Sequence, residues 1–557
     1  MKLTIGSKQI ALPIDARISI EKSSPLLNDD TGSFSFPFPV PTLPNQHLLG
    51  WPGRLQRSGD IPDQTFVLED SGLQVFRGEV EYDDVTAAEI GLILKSGYSE
   101  FTKKMTGKKL GDLNYGWENW PSGYTDAIAS PSMEDKLKEW DAANTTDNGK
   151  YVVAPFWVDV YNVNGQNWGS PGSTFIDNSN SGSMPDWEIG AFRGYGIYCL
   201  QFRVSFVLRR IFESAGYIIK VDDFSQSEFN KAIIYGKLIK IEIQGLSKLN
   251  IEFESFGLQY STLMPDIEIL DFLDVIKNMF CMMYEIDELK KEIRIKFKKD
   301  IFLPENIDMM KIAEIVGWTH NEEKALKGFA LQYNSQDSDL DTEFEYKIAA
   351  TVPATLPSPT VEAQVIHCTN NGRDFSAVKN SSNVLEWKEI GRLKERREGD
   401  GENVIEIDVK VPTQKQYVTH SLTLECPLIQ GVSTSSGTTT NYLIPVPLII
   451  TLYHGRKPFG AVSLPYSSFD RFSIDGVIDT GMSLRPAYLY DKLYSDFINW
   501  QTYRARAFTK YIELSLIQLI AMQWGKRYMI NGVLVILNKI NYELPFAGQV
   551  KIEGFTG

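Results

Sequence analysis

The segment Ser33 to Pro41, SFSFPFPVP, constrains the fold more tightly than any other stretch of the chain. Phe34, Phe36, Phe38 and Val40 recur at every second position, the period of a strand with one apolar face. Pro37, Pro39 and Pro41 fill the alternate positions, and a proline has no N–H to donate to a ladder. The pattern predicts an edge strand or an extended arm whose three phenylalanines and Val40 share one face. Four large apolar side chains on an edge gain free energy only when something covers them, so Phe34, Phe36 and Phe38 are candidate assembly residues.

Other strand signals surround this segment. Ile10, Leu12, Ile14, Ile18 and Ile20 alternate with mostly polar neighbours and read as a half-buried strand. TFVLEDSGLQVFRGEVEY reads as a hairpin turning at Asp70-Ser71-Gly72, with Gly78 at a bulge or kink. Residues 1–96 are therefore expected to form an N-terminal β domain. Residues 97–200 differ in texture. Six of the eleven tryptophans lie between Trp117 and Trp187 among Gly, Asn, Ser and Pro, so this region is expected to be a loop-rich insertion. Its indoles either anchor loops on a core or form a stacking surface for a sugar or a partner.

Residues 201–325 are expected to be mixed α/β. Val204, Val207, Leu208, Ile211 and Phe212 mark one helix face that stops before Gly216, and Ile269, Phe272, Leu273, Ile276 and Met279 mark a second after Pro265. Ile293, Ile295 and Phe297 then alternate as a strand. Residues 326–490 form a second strand-rich domain, including NVIEIDVKV, with the tract Ser433 to Thr440 as a loop or hairpin tip. Residues 491–557 end in strand-like pieces around a glycine turn, KRYMINGVLVILNKINYELP.

The fold class expected is thus α+β, β-rich and multidomain. With 557 residues and 43% hydrophobic content the chain has ample material for several cores. A net charge of −15 argues against a protein that coats nucleic acid, which needs a basic surface, and suits a wall past which DNA slides without adhering. Cys199, Cys281, Cys368 and Cys426 have no paired spacing, as expected of free thiols in a reducing cytoplasm. The N-terminus reads as strands and not as a signal peptide, and no run reaches the ~18 apolar residues of a membrane span.

Few constellations carry chemistry. The five histidines form no helical metal pair, and Thr106 to Lys109 (TGKK) lacks the upstream glycine of a phosphate loop. Asp177, Ser179, Ser181 and Glu188, with Gly182, occupy the spacing of a calcium loop, but Pro185 interrupts it and only two ligands are charged. The acidic stretch Asp337, Asp339, Asp341 and Glu343 reads as an exposed loop. Arg392, Lys394, Arg396 and Arg397 read as partners for nearby acids or for another subunit. No catalytic residue and no cofactor are expected.

Three stretches carry a resemblance. They are TGSFSFPFPVPTLPNQHLLGWPGRLQ with VFRGEVEY, LQFRVSFVLRRIFESAGYIIKVDDF with PDIEILDFLDVIKNMFCMMYEID and RIKFKKDIF, and the ending RYMINGVLVILNKINYELP. They resemble tail proteins of phages and prophages of Bacteroidetes, and their layout is similar to baseplate hub proteins and type VI secretion spikes. The resemblance implies a β-barrel split between an N-terminal and a later part, with mixed α/β insertions. It also implies a homotrimeric ring in the tail of a virion, assembled in the host bacterial cytoplasm. Tail tube, spike or fibre proteins would be its partners, and DNA would pass through the lumen without specific binding. It transfers no site residue. A tail-associated protein that binds glycan or degrades the envelope is the alternative.

Overall fold

The computed structural model describes residues 1–27, 32–52, 64–119, 149–158, 162–163, 166–167, 174–176, 195–237, 239–242, 257–309, 313–314, 319–320, 329–333, 367–370, 373–379, 385–390, 394–397, 404–409, 414–419, 422–429, 448–459, 462–469, 473–474, 477–478 and 482–556. The architecture is α+β and strand-rich, with several separate sheets.

The largest sheet has 15 strands, drawn from both ends of the chain and, for three short ones at 307–308, 313–314 and 319–320, from its middle. Its N-terminal members are β1 (Lys2–Ile5), β2 (Lys8–Ile10), β3 (Ile18–Ser23), β4 (Ser33–Ser35), β5 (Phe38–Pro41), β6 (Gln64–Asp70), β7 (Leu73–Val85) and β8 (Glu89–Ser96). A one-turn helix α1 (Thr42–Asn45) follows β5, and α2 (Tyr98–Met105) follows β8. The strand order runs β2-β1-β6-β7-β8-β4-β3 and then continues into strands from the far end of the sequence. Ile18 of β3 pairs with Leu544, more than five hundred residues away. Alternate residues of these strands, among them Ile18, Ile20, Ile90, Leu92 and Leu94, enter one apolar core with Ile512, Ile540, Leu544 and Ile552.

The mixed α/β part carries α3 (Val204–Ser214), β9 (Ile218–Asp222), α4 (Ile269–Met279), β10 (Met282–Asp287) and β11 (Glu292–Phe297). Both helices bury the faces that the 3.6-residue period predicts, and β11 buries Ile293, Ile295 and Phe297. β11 pairs in parallel with β9 and antiparallel with β10. α3 ends where Tyr217 N–H reaches back to the Phe212 carbonyl, a helix-closing bond that satisfies an otherwise orphaned acceptor. Strand 450–459 pairs with 232–235, so the stretches 201–325 and 326–490 contribute to one five-stranded sheet.

The chain returns to the large sheet through β12 (Ala507–Glu513), a short helix α5 (Leu516–Ala521), β13 (Arg527–Ile530), β14 (Val533–Leu544) and β15 (Gln549–Thr556). β14 lies beside β3, β15 beside β14, and β12 beside β15. The β6–β7 and β13–β14 hairpins turn on Ser71-Gly72 and Asn531-Gly532, all four with positive φ, the turn whose twist matches the flanking strands.

Three expectations are corrected. The large sheet is split between the two chain ends, but among the described residues no sheet closes into a barrel by strand pairing, and β2 remains an end strand. Residues 10–20 are not one strand: Pro13 breaks the run, Ala16 N–H turns back to the Pro13 carbonyl, and Ile14 is fully exposed. Gly78 is not at a bulge. It pairs with Phe66 inside a continuous β7, where a Cβ would land on the Lys95 carbonyl oxygen of β8, so close approach of two strands demands glycine. The register shifts fall elsewhere, between Leu68 and Glu69 and between Tyr82 and Val85. No helix among the described residues is long and apolar enough to cross a membrane, which leaves membrane β-barrels unaddressed.

Candidate assembly surface

The period-2 run from Phe34 to Val40 does not keep one face. β4 lies inside the sheet, paired on one side with β3 (Glu21↔Phe34) and on the other with β8 (Phe34↔Lys95). Here Ser33 and Ser35 point inward and Phe34 lies half-buried outside. Ser35 Oγ accepts the Leu94 N–H at 2.9 Å, a contact that leaves room only for a small inward side chain. After Ser35 the parity reverses across Phe36-Pro37. β5 then buries Phe38 and Val40 against β8, with Phe38 opposite Leu92. Phe38 belongs to the core of its own sheet, while Phe34 and Phe36 meet edge to face outside at 5.6 Å. Of the three candidate residues, Phe36 is the exposed one, at 46%.

A polar clamp holds the corner that follows β5. Asn45, fully buried at the end of α1, accepts the Ala11 N–H through Oδ1 at 2.9 Å. Its Nδ2 donates to the carbonyls of Ala11 and Pro41, each at 2.9 Å. One side chain thereby satisfies backbone groups that have left the strand ladder. It also ties the 11–17 turn to the β5–α1 corner, and Phe36 N–H donates to the Ser19 carbonyl at 3.0 Å. Ile14, fully exposed, and Leu43, at 83%, stand on these tied segments. Neither Ile14 nor Asn45 is legible in the sequence: Ile14 fits the strand period of its neighbours, and Asn45 carries no signal until its partners are known.

A second feature joins the sheet to the α/β part. Lys22 of β3 meets Glu288 at 2.6 Å. Glu100 of α2 accepts from Lys104 at 2.9 Å and from Lys291 across the β10–β11 turn. Lys103 lies 3.3 Å from Glu79 of β7. Burial pushes the Glu100 carboxyl up, but the hydrogen bonds from Lys104 and Lys291 outweigh it and hold the group below the usual carboxylate range. Burial likewise depresses Lys22, and Glu288 with Tyr542 and Asp287 reverses this and raises the ammonium well above its ordinary value. Glu100 and Lys22 are thus each held in the charged form at neutral pH, while burial lowers the Lys291 ammonium against the pull of Glu100.

The remaining sequence candidates are scattered. Asp177, Ser179, Ser181, Gly182 and Glu188 lie outside the described residues, as do the acidic stretch 337–343, the tract 433–440 and Arg392. Lys394–Arg397 forms a strand paired with 329–333. Lys109 of the TGKK segment pairs with Asp266 at 2.8 Å. Cys199, Cys281 and Cys426 are buried. Among the described residues no group of three metal-ligating side chains converges.

No protein-family model matches the sequence, and no curated protein matches it. Among solved structures, the chain is similar to the 43 kDa tail protein of prophage MuSo2 from Shewanella oneidensis, at 7% identity, covering 100% of this chain and 95% of that one. The TM-score is 0.31, and a superposition that loose carries no argument about fold or function.

Proposed function

We propose that this chain is a structural subunit of a phage tail tip or baseplate, acting as the central hub between the tail tube and the spike or fibres. The observation that carries the reading is the split sheet: strands from 1–96 and from 507–556 meet side by side in one frame, and short strands at 307–308, 313–314 and 319–320 from the stretch between them add to its C-terminal half. That is the arrangement implied by the resemblance of the three sequence stretches to hub proteins. The mechanism is mechanical. The sheet supplies a rigid wall, the exposed corner at Ile14, Phe36 and Leu43 supplies apolar contact area, and the inserted parts dock neighbours. A homotrimeric ring in the virion tail, built in the bacterial cytoplasm, is the assembly this reading expects, with an acidic wall that repels DNA phosphates.

Imaging the assembled particle with this chain labelled tests the reading. Several copies around the tail axis are expected, and a single copy at the periphery, away from tube and spike, would sink it. Hydrolysis of cell-wall or capsule polysaccharide that is abolished by changing one carboxylate would favour the envelope-degrading alternative instead.

A further inference from the structure

The register of the large sheet sets a group of exposed carboxylates at one end of its strands, where Lys8 is also exposed, and two exposed arginines at the other. Glu89 of β8 lies opposite Pro41, Ile18 opposite Leu544, and Gln549 opposite Glu513, so these positions share one end. Asp83, Asp84 and Glu89 are exposed there, beside Leu43 and Ile14. Arg17 at the same end is engaged by Glu543 at 3.5 Å. At the other end Ala507 pairs with Phe555. The segment just before it exposes Tyr503, at 53%, with Arg504 and Arg506. Thr556 fixes that segment: its Oγ1 donates to the Arg504 carbonyl at 3.4 Å and accepts the Arg506 N–H at 3.2 Å. Asp491 and Asp496 are exposed on the preceding helical segment.

We infer that the acidic end of one copy, Asp83, Asp84 and Glu89 with Leu43, docks on the Tyr503–Arg506 end of a second copy. The occupant follows from complementarity. An aliphatic surface rimmed by carboxylates fits an aromatic ring flanked by two guanidiniums, which bind carboxylates in a forked geometry. Two different surfaces in contact make a head-to-tail interface, which closes into a ring when the rotation per copy divides a full turn. This deepens the subunit reading above and rests on it.

Sedimentation velocity on the full chain tests the pairing of surfaces. The wild type is expected to self-associate below about 100 µM, and to do so more weakly as salt rises from about 0.05 M to about 0.5 M. The D83K/D84K variant and the R504E/R506E variant should each associate ~10-fold or more weakly, since like charges now face each other. Both substitutions are on exposed positions, and an unchanged melting temperature verifies the fold. An equimolar mixture of the two variants should recover association, because each reversed surface meets its complement. A wild type that stays monomeric, a reversal without effect, or a mixture that fails to recover overturns the inference. Whether the chain is present in purified particles is read separately by mass spectrometry, so a failed surface assignment and a failed tail role are distinguishable.

Discussion

The interior of the large sheet is apolar, whereas the seam that joins it to the α/β part adds ion pairs to an apolar contact in which Phe101 of α2 meets Phe212 and Tyr217. Inside the sheet, Phe38, Val40, Ile90 and Leu92 meet Ile540, Leu544 and Ile552, and stability follows the apolar area removed from water. Along the seam, Lys22, Glu288, Glu100, Lys104 and Lys291 meet as ion pairs. Ion pairs of this kind gain little over a well-packed apolar substitute, but each is costly to break from one side. The difference teaches that apolar area holds both regions together, while at the seam paired charges add direction to the contact.

The comparison breaks first at Phe38. Phe38→Ser removes a buried ring from the sheet and should lower unfolding free energy by about 4 kcal/mol in urea titration. A loss under about 1 kcal/mol would mean that β5 is peripheral to the core. The seam should respond differently. Lys22→Met leaves Glu288 buried without its partner and should cost about 3 kcal/mol, whereas the double variant Lys22→Met, Glu288→Leu should recover most of that loss. If the double variant is no better than the single, the seam contributes net stability and not merely orientation.

Acid should act on the seam and leave the apolar interior of the sheet untouched. Glu100 is held below its unfolded pKa, so its contribution is complete above the ordinary carboxylate range, near ~4.3, and is lost as pH falls through the folded value. Lys22 is raised, so its contribution is complete below its unfolded pKa and is lost only in strong alkali. Melting temperature should therefore stay level across the neutral range and drop in acid, and Glu100→Gln should flatten part of that drop. An unchanged acid limb in this variant would assign it to other carboxylates. The smallest stability effect belongs to Phe36→Ser, within about 0.5 kcal/mol because the ring is already half in water. The same variant should still weaken assembly, and intact assembly would remove Phe36 from the contact surface.

Much of the local structure was legible in the chain. The helices at 204–214 and 269–279 and the strand at 292–297 follow from periodicity, because each buries a face defined by residues only a few positions apart. The hairpins at Ser71-Gly72 and Asn531-Gly532 follow from turn chemistry. The assembly surface was legible only in part. Phe36 is exposed as an assembly residue must be, but Phe38 shares its period and is buried, because the parity reverses at a proline between two strands with different neighbours.

By itself, then, the sequence determined the strand-rich α+β class, the local elements and the positions of their turns, all properties set by neighbouring residues and backbone sterics. Tertiary structure decided which strands lie side by side, that Ile18 meets Leu544, that Asn45 clamps Ala11, and that Lys22 finds Glu288. Those choices depend on partners tens to hundreds of residues away. A β-ladder is satisfied by backbone groups that every residue carries, so no local pattern names the partner until the apolar faces of all the strands are buried together.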